Sequence, residues 1–294
     1  MRAFDLSPHD DTDVMTFDYF SPADFTEKLR MQAAVSTLAS ALFVNSPLEG
    51  GRPCGALSRR MQYWGRVDPA RARITPCTIS GTVTVDSFVD WALSLPMMYR
   101  KKPDGSCTTV PPAPFSSLLV DGFEDGSQPD LQVWRDHLGQ IISYVRVRDT
   151  LEVRAADGPP FSAFAAVPAF WTGLTYHRPP RISAWELLRS TTLQDHLAAL
   201  DDIACHGLAA CFAGQPVREI AAELVQLSRA GLQARVDAGI EKKEALTYLW
   251  PLDEILATGT TFADRCLDRW DNEFGRSAQR FVEAFQVHEA GLSS

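Results

Sequence analysis

The sequence predicts an α+β fold in which the strands lie in the first half of the chain. Residues 12–20 and 144–154 alternate between polar and apolar side chains at the period of a strand. From residue 161 onward, apolar residues recur at helical spacing. Few helical crossovers join the predicted strands, which argues against a doubly wound parallel sheet. We therefore expect β structure within residues 1–160 and mainly helices in 161–294.

Start and stop signals predict the individual elements. Ser21-Pro22 starts a helix that reaches about Val44, because a capping serine followed by proline is typical of a helix start. Asp86 is predicted to cap a helix through Leu95, and Pro129-Asp130 opens another through Leu138. Residues 96–100 are predicted as a strand, residues 101–128 as loops, and residues 161–176, 183–206, 216–236, 251–257 and 261–285 as helices.

Composition narrows the classes of protein. The formal net charge of −9 argues against a general nucleic-acid or anionic-membrane surface, because positive fields attract those partners. Neither a signal peptide nor a long apolar span is evident, so we expect a cytoplasmic protein with no membrane partner. The six cysteines have no metal-ligand spacing, and we expect them to be free thiols.

An arginine-rich segment follows the first predicted helix. After Asn45 come glycines, prolines and six arginines, namely Arg52, Arg59, Arg60, Arg66, Arg71 and Arg73. Guanidinium groups match carboxylate and phosphate oxygens in pairs, so the segment suits an anionic ligand. The alternative is that most of these arginines are solvated or pair with Glu49, Asp68 and Asp149. Asn45 could contact a ligand or simply form a turn.

The predicted strand over 144–154 carries charged residues on one face. Glu152 and Arg154 are two residues apart, so their side chains point to the same side of a strand. A carboxylate there could bind Mg²⁺ while the arginine neutralises a phosphoryl group. A simple salt bridge between the two explains the spacing equally well. Arg146 and Arg148 lie on the same predicted face.

Several of these segments resemble the glutamate–cysteine ligase family of plants and proteobacteria, which the actinobacterial ligases of ergothioneine biosynthesis also resemble. The matching segments occur in the family's order over about residues 18–285. They are 41–47 (ALFVNSP), 51–55 (GRPCG), 57–60 (LSRR), Trp64, 68–71 (DPAR), 134–138 (WRDHL), 145–146 (VR), 151–158 (LEVRAADG), 168–174 (PAFWTGL), 231–232 (GL), 251–252 (PL) and 259–264 (GTTFAD).

The resemblance implies ATP-dependent joining of L-glutamate to L-cysteine through a γ-glutamyl phosphate, with ATP as substrate and Mg²⁺ as cofactor. It implies that Glu152 holds the metal and that Arg154, with Arg146, faces the phosphates of ATP. Arg60 would be catalytic and grip a substrate carboxylate, in a substrate site that also includes Trp64, Asn45 and Arg71. The fold implied is one domain over residues 1–294, with a curved, mainly antiparallel sheet similar to the glutamine synthetase catalytic core.

The sequence also departs from the family pattern. Family members are longer, and the part that would carry further acidic metal ligands lies upstream of the first predicted strand. Gln62 replaces a histidine, Ser143-Tyr144 replaces Pro-Glu, and Gly139 replaces a threonine. Three alternatives stay open: a truncated or noncatalytic homologue or subunit that needs a partner chain, a ligase that uses another amine, and an acidic helical interaction protein. The downstream pathway, glutathione or ergothioneine, is also open.

Overall fold

The structure is a computed structural model that describes residues 14–102 and 104–285, without the side chain of Phe285. Residues 12 and 13 of the first predicted strand lie outside this part of the chain. The strands are β1 Met15–Phe17, β2 Leu48–Glu49, β3 Arg52–Pro53, β4 Ala72–Arg73, β5 Tyr99–Lys101, β6 Cys107–Thr109, β7 Ile142–Ser143, β8 Val145–Val147, β9 Leu151–Val153, β10 Cys211–Phe212 and β11 Gln215–Pro216.

Helices make up most of the described chain. The α-helices are α1 Pro22–Leu42, α2 Arg59–Trp64, α3 Pro76–Ile79, α4 Val85–Ser94, α5 Phe115–Asp121, α6 Leu131–Gly139, α7 Ala166–Tyr176, α8 Arg178–Leu188, α9 Leu193–His206, α10 Val217–Asp237, α11 Trp250–Thr258, α12 Phe262–Asn272 and α13 Ala278–Phe285. Short 3₁₀ helices cover Phe161–Ala163, Gly207–Ala209 and Lys243–Leu249. None of the helices in the described ranges is long and apolar enough to cross a membrane.

The sheets are small and separate. β9 lies between β1 and β8 and pairs antiparallel with both, so that Glu152 is opposite Thr16 on one side and Arg146 on the other. The prediction of one continuous strand over 144–154 is therefore wrong. A tight turn, in which the amide of Arg148 donates to the carbonyl of Thr150 at 2.9 Å, divides it into a hairpin. Alternation at period two cannot distinguish one long strand from two short strands.

The central helix of the fold is α1. Ser21 accepts a hydrogen bond from the Asp24 amide at 3.1 Å, which confirms the predicted helix start. Every residue from Met31 to Leu42 is buried, because α8, α9 and α10 pack around this helix and β8 and β9 contact it as well. The main hydrophobic core therefore combines residues from the β-containing part, such as Phe17, with residues as distant as Ala263.

The helical half contains one very close helix crossing. A Cβ atom added to Gly173 of α7 would lie 2.1 Å from the Ser228 carbonyl oxygen on α10. A Cβ atom on Gly231 would lie 1.9 Å from the Gly173 carbonyl oxygen. Real Cβ atoms do not approach carbonyl oxygens so closely, so this crossing requires glycine at both positions. The crossing packs α10 closely against α7.

Some predicted boundaries are wrong for identifiable reasons. The helix predicted over 183–206 is two helices, α8 and α9, because Thr192 and Asp195 form a capping box that starts α9. The helix predicted over 261–285 is α12 and α13, with Gly275 at positive φ between them. The predicted helix over 161–176 begins as a 3₁₀ turn before α7. Thr84 rather than Asp86 caps α4.

The proline- and glycine-rich stretch over 101–128 is not entirely loop. It contains β6, which pairs with β5, and the helix α5. Phe115 and Leu118 of α5 form a small second core with Met97. Burial of these two apolar side chains outweighs the local preference for turns.

Candidate active site

Three segments meet beside β9. Strand β9 and the residues after it carry Glu152, Arg154 and Asp157, and the loop after α1 carries Asn45. The third segment is α2, whose Ser58 cap accepts a hydrogen bond from the Met61 amide at 3.2 Å. Arg60 and Trp64, four residues apart on this helix, lie on one face because the α-helical repeat places them there.

The guanidinium group of Arg60 is buried and bonded to the segment after β9. Nη1 donates to Asp157 Oδ1 at 3.2 Å, and Nη2 donates to the Arg154 carbonyl at 2.5 Å. The Ala155 carbonyl lies 3.5 Å from Nη1. This arginine therefore joins α2 to the end of β9.

Trp64 lies beneath two arginines. The guanidinium carbon of Arg60 is 4.6 Å from its ring centroid and that of Arg154 is 5.1 Å away, both within cation–π range. The indole also stacks on Tyr144, with centroids 5.2 Å apart and an interplanar angle of 11°. The aromatic pair thus provides a fixed floor for both guanidinium groups.

Arg154 is a buried cation with unmet hydrogen-bonding capacity. It is 4% exposed, and its Nε and Nη1 atoms have no hydrogen-bond partner among the described residues. Burial, followed by the positive charges of Arg146 and Arg60, lowers the pKa of Arg154 to about 10, although the charge of Glu152 acts in the opposite direction. A buried charge is stable only when it is paired, so this guanidinium is suited to an anionic ligand.

Glu152 is an ion-pair partner of the arginines on β8. Its Oε2 atom accepts a hydrogen bond from Arg146 Nε at 2.5 Å, and its Oε1 atom lies 3.6 Å from Arg148 Nη1. The structure thus brings Glu152 and Arg146 together across the hairpin. The salt bridge that the sequence suggested for Glu152 forms with Arg146 rather than with Arg154.

Asn45 contacts the same segment. Its backbone amide donates to Asp157 Oδ2 at 3.0 Å, and its side-chain amide donates to the Gly158 carbonyl at 2.6 Å. Asp157, which the sequence reasoning did not single out, is 2% exposed and also accepts a hydrogen bond from the Ser46 hydroxyl at 2.8 Å. The signal available in the sequence was an acidic residue three positions after Arg154, in a chain that also carries an arginine-rich segment.

Arg71 has a different set of contacts. Its Nε atom donates to Asp68 Oδ2 at 2.8 Å, and its Nη2 atom donates to the Pro96 carbonyl at 2.9 Å. Arg59 pairs with Glu49 at 2.7 Å, and Arg135 rather than Arg148 lies nearest to Asp149, at 3.9 Å. For Arg59 and Arg71, the alternative of pairing with nearby carboxylates is confirmed.

A cleft of about 270 Å³ adjoins this site. Phe25, Phe88 and Trp134 provide apolar walls, and Arg148 lies at its polar edge. Arg148 also faces Glu152, so this side chain borders both the cleft and the candidate site around Glu152 and Arg154.

The donor set does not fit a magnesium ion. Mg²⁺ requires octahedral oxygen coordination, partly from carboxylates. Within residues 14–102 and 104–285, no three histidine, cysteine or acidic residues converge as a metal site. Glu152 also faces Arg146 and Arg148, whose charges oppose a cation. These residues alone therefore do not constitute a metal centre.

Comparison with known proteins identifies the family. A sequence model of glutamate-cysteine ligase family 2 matches residues 19–284, so the chain belongs to this family of ligases, and the resemblance is confirmed.

Individual relatives from plants agree with this assignment. Glutamate--cysteine ligase B, chloroplastic, of Oryza sativa subsp. japonica is 32% identical over 267 residues, which are 90% of this chain and 52% of the relative. Glutamate--cysteine ligase, chloroplastic, of Arabidopsis thaliana is 31% identical over 273 residues, 92% of this chain and 51% of the relative. The chain thus spans about half the length of the curated relatives it matches.

Proposed function

We propose that the chain carries out ATP-dependent γ-glutamylcysteine formation. In this reaction a γ-carboxylate oxygen of glutamate attacks the γ-phosphorus of ATP, and ADP leaves. The amine of cysteine then attacks the acyl carbon of γ-glutamyl phosphate, and inorganic phosphate leaves. Family membership and the printed names of the relatives support this proposal.

The observation that carries the proposal is the buried, incompletely paired guanidinium of Arg154. Phosphoryl transfer is governed by positioning and by neutralising charge on the phosphoryl oxygens. A guanidinium already desolvated over Trp64, with Nε and Nη1 available as donors, meets both needs. Arg154 is therefore proposed to contact the transferring phosphoryl group, with Arg146 close by on β8.

Arg60, Trp64 and Asn45 are proposed to form the glutamate side of the site. Their support is proximity, because all three contact the segment around Arg154 or Arg154 itself. Arg71 stays a proposed substrate residue on the family resemblance alone, since its observed contacts are with Asp68 and Pro96.

ATP is proposed as a substrate, and Mg²⁺ is proposed to accompany it. Glu152 is the residue that the family resemblance assigns to the metal. The described residues do not by themselves form a metal centre around it.

We also propose a single domain over residues 1–294 that is related to the glutamine synthetase catalytic core. A hydrophobic core that extends from Phe17 to Ala263 supports one domain, and the antiparallel pairing of β1, β9 and β8 is compatible with the implied sheet. A cytoplasmic location and a place in glutathione or ergothioneine synthesis are proposals from the sequence.

A second candidate, proposed from the sequence, is a subunit that works with a partner polypeptide. The matches cover about half the length of each relative. Such a partner would supply acidic metal ligands beside Glu152.

Turnover and assembly state distinguish the two candidates. Purified chain should release ADP and form γ-glutamylcysteine only when glutamate, cysteine, ATP and Mg²⁺ are all present. Replacing cysteine in the assay with other small amines tests whether the chain is a ligase that uses another amine. Absence of both turnover and ATP binding would contradict the proposal for this chain, and elution as a stable complex with a second polypeptide would favour the subunit.

A further inference from the structure

The carboxylate of Asp157 contacts three groups around the candidate site. Its Oδ1 atom accepts from the Arg60 guanidinium at 3.2 Å, whereas its Oδ2 atom accepts from the Asn45 amide at 3.0 Å and from the Ser46 hydroxyl at 2.8 Å. The carboxylate is buried, so solvent does not compete for these hydrogen bonds. One side chain thus joins α2, the loop after α1 and the segment after β9.

Asp157 is connected to both ends of Arg60. The direct bond reaches the guanidinium group. The second connection runs through Ser46, whose hydroxyl donates to Asp157 and accepts from the Arg60 backbone amide at 3.2 Å. A long, flexible side chain held at its backbone and at its tip loses most of its rotamer freedom. The bond at the tip is charge-assisted and therefore stronger than a neutral hydrogen bond.

The same connection extends to Arg154. Arg60 Nη2 donates to the Arg154 carbonyl, so the position of the Arg60 guanidinium helps to fix the backbone from which the Arg154 side chain projects. Both guanidinium groups then lie over the ring of Trp64. Loss of the Asp157 charge would remove a contact that holds the Arg60 guanidinium in place. The hydrogen bond from Arg60 to the Arg154 carbonyl would then be weakened as well.

We propose that Asp157 is the positioning residue of the site, which holds Arg60 in the orientation that receives the glutamate carboxylate. Asp157 acts through Arg60 and touches neither substrate. Its kinetic consequence rests on the proposed ligase function, whereas its effect on Arg60 does not. The two can therefore be tested separately.

The first test uses arginine side-chain NMR and needs no activity. In the wild-type chain, the Nη protons of Arg60 should give separate resonances because rotation of the group is hindered. The Arg60 signals are identified by their loss in Arg60→Lys. In Asp157→Asn, which keeps the shape but removes the charge, these signals should average. Arg60 signals as well ordered in Asp157→Asn as in the wild type would overturn the proposal.

The second test separates KM from kcat. Asp157→Asn should raise KM for glutamate by about tenfold or more, the expected loss for a hydrogen bond to a charged group. KM for ATP should rise by a smaller factor, because Asp157 reaches Arg154 only through the Arg60 guanidinium, and kcat should change much less than KM for glutamate. Equal loss across all substrates, or unchanged KM for glutamate, would contradict the positioning role. A wild-type chain with neither turnover nor ATP binding would refute the ligase proposal for this chain, while the NMR result would still decide the role of Asp157.

Two further variants control for folding. Asp253→Asn removes a carboxylate that pairs with Arg229 between α10 and α11, and it should leave KM for glutamate unchanged. Ser46→Ala removes only the hydroxyl that links Asp157 to the Arg60 backbone, so it should raise KM for glutamate by a smaller factor. If Asp157→Asn does not fold, an unchanged KM for glutamate in Ser46→Ala would overturn the proposal.

Discussion

Replacing Arg154 with methionine should make the ligand-free chain more stable and should abolish its binding of anions. Methionine keeps an unbranched apolar side chain over Trp64 and removes a buried charge whose Nε and Nη1 atoms have no partner in the described chain. Stability gained on removal of a charge would mark a residue that is retained for ligand binding.

The magnitude follows from the lowered pKa. Burial lowers the pKa of Arg154 from the ordinary arginine value to about 10, and one pKa unit corresponds to about 1.4 kcal/mol, so the folded state bears a cost of about 3 kcal/mol for this charge. Because the folded-state pKa lies below the unfolded-state value, the cost is fully present below pH 10 and declines above it. Loss of the cation–π contact offsets about 0.5–2 kcal/mol. The net gain is therefore about 1–2.5 kcal/mol at pH 7.

Calorimetry and urea unfolding at pH 7 measure this gain, which corresponds to an increase in Tm of roughly 2–4 °C. Arg229→Met is the matched control, because Arg229 donates to both oxygens of Asp253 at 2.7 and 2.6 Å. That variant should be slightly less stable than the wild type. Calorimetric titration should show that Arg154→Met no longer binds ATP. An Arg154→Met chain that is less stable than wild type by more than about 1 kcal/mol would show that the Arg154 charge does not destabilise the ligand-free chain.

Three further predictions concern packing, pH and capping. Gly173→Ala and Gly231→Ala should each destabilise the chain by about 3 kcal/mol or more in urea unfolding, because a methyl group cannot fit at the α7–α10 crossing. Gly139→Ala is the control, because a methyl group there would lie in open space, and it should be neutral or slightly stabilising. Burial lowers the pKa of His196 from 6.5 to about 4. Because the unfolded chain then binds a proton at this histidine more readily than the folded chain, the free energy of unfolding should be constant above about pH 6.5 and should fall by about 2–3 kcal/mol by pH 4.5. A pH series on His196→Gln should lack most of this decrease. Thr261→Ala removes the cap that accepts from the Asp264 amide and should cost about 1 kcal/mol by thermal unfolding, and exposed Thr260→Ala should cost nothing measurable.

The helices were largely predictable because their caps and periodicity are local. Ser21-Pro22 marks the start of α1 within the sequence, and the fold uses that start. The hairpin of β8 and β9 was not predictable in the same way, because alternation continues through the turn at Asp149. Helix α5 was missed because its formation depends on packing against Met97, which is distant in sequence.

The candidate site divides along similar lines. Glu152 and Arg154 were accessible from strand spacing, and Arg60 and Trp64 from their motif. The pairing of Glu152 with Arg146 depends on the register of the hairpin, which periodicity does not specify. Asp157 was missed because its contacts are with two segments that precede it by about a hundred residues in the chain.

Oxygen transfer from glutamate to phosphate is the most direct test of whether the chain forms γ-glutamyl phosphate. With glutamate labelled with ¹⁸O in its γ-carboxylate, the proposed acyl phosphate requires one labelled oxygen in each inorganic phosphate released during γ-glutamylcysteine formation by the purified chain. We expect this label in phosphate released by the wild-type chain and no phosphate release by Arg154→Met. Release of unlabelled phosphate, or labelled phosphate formed equally well by Arg154→Met, would contradict it.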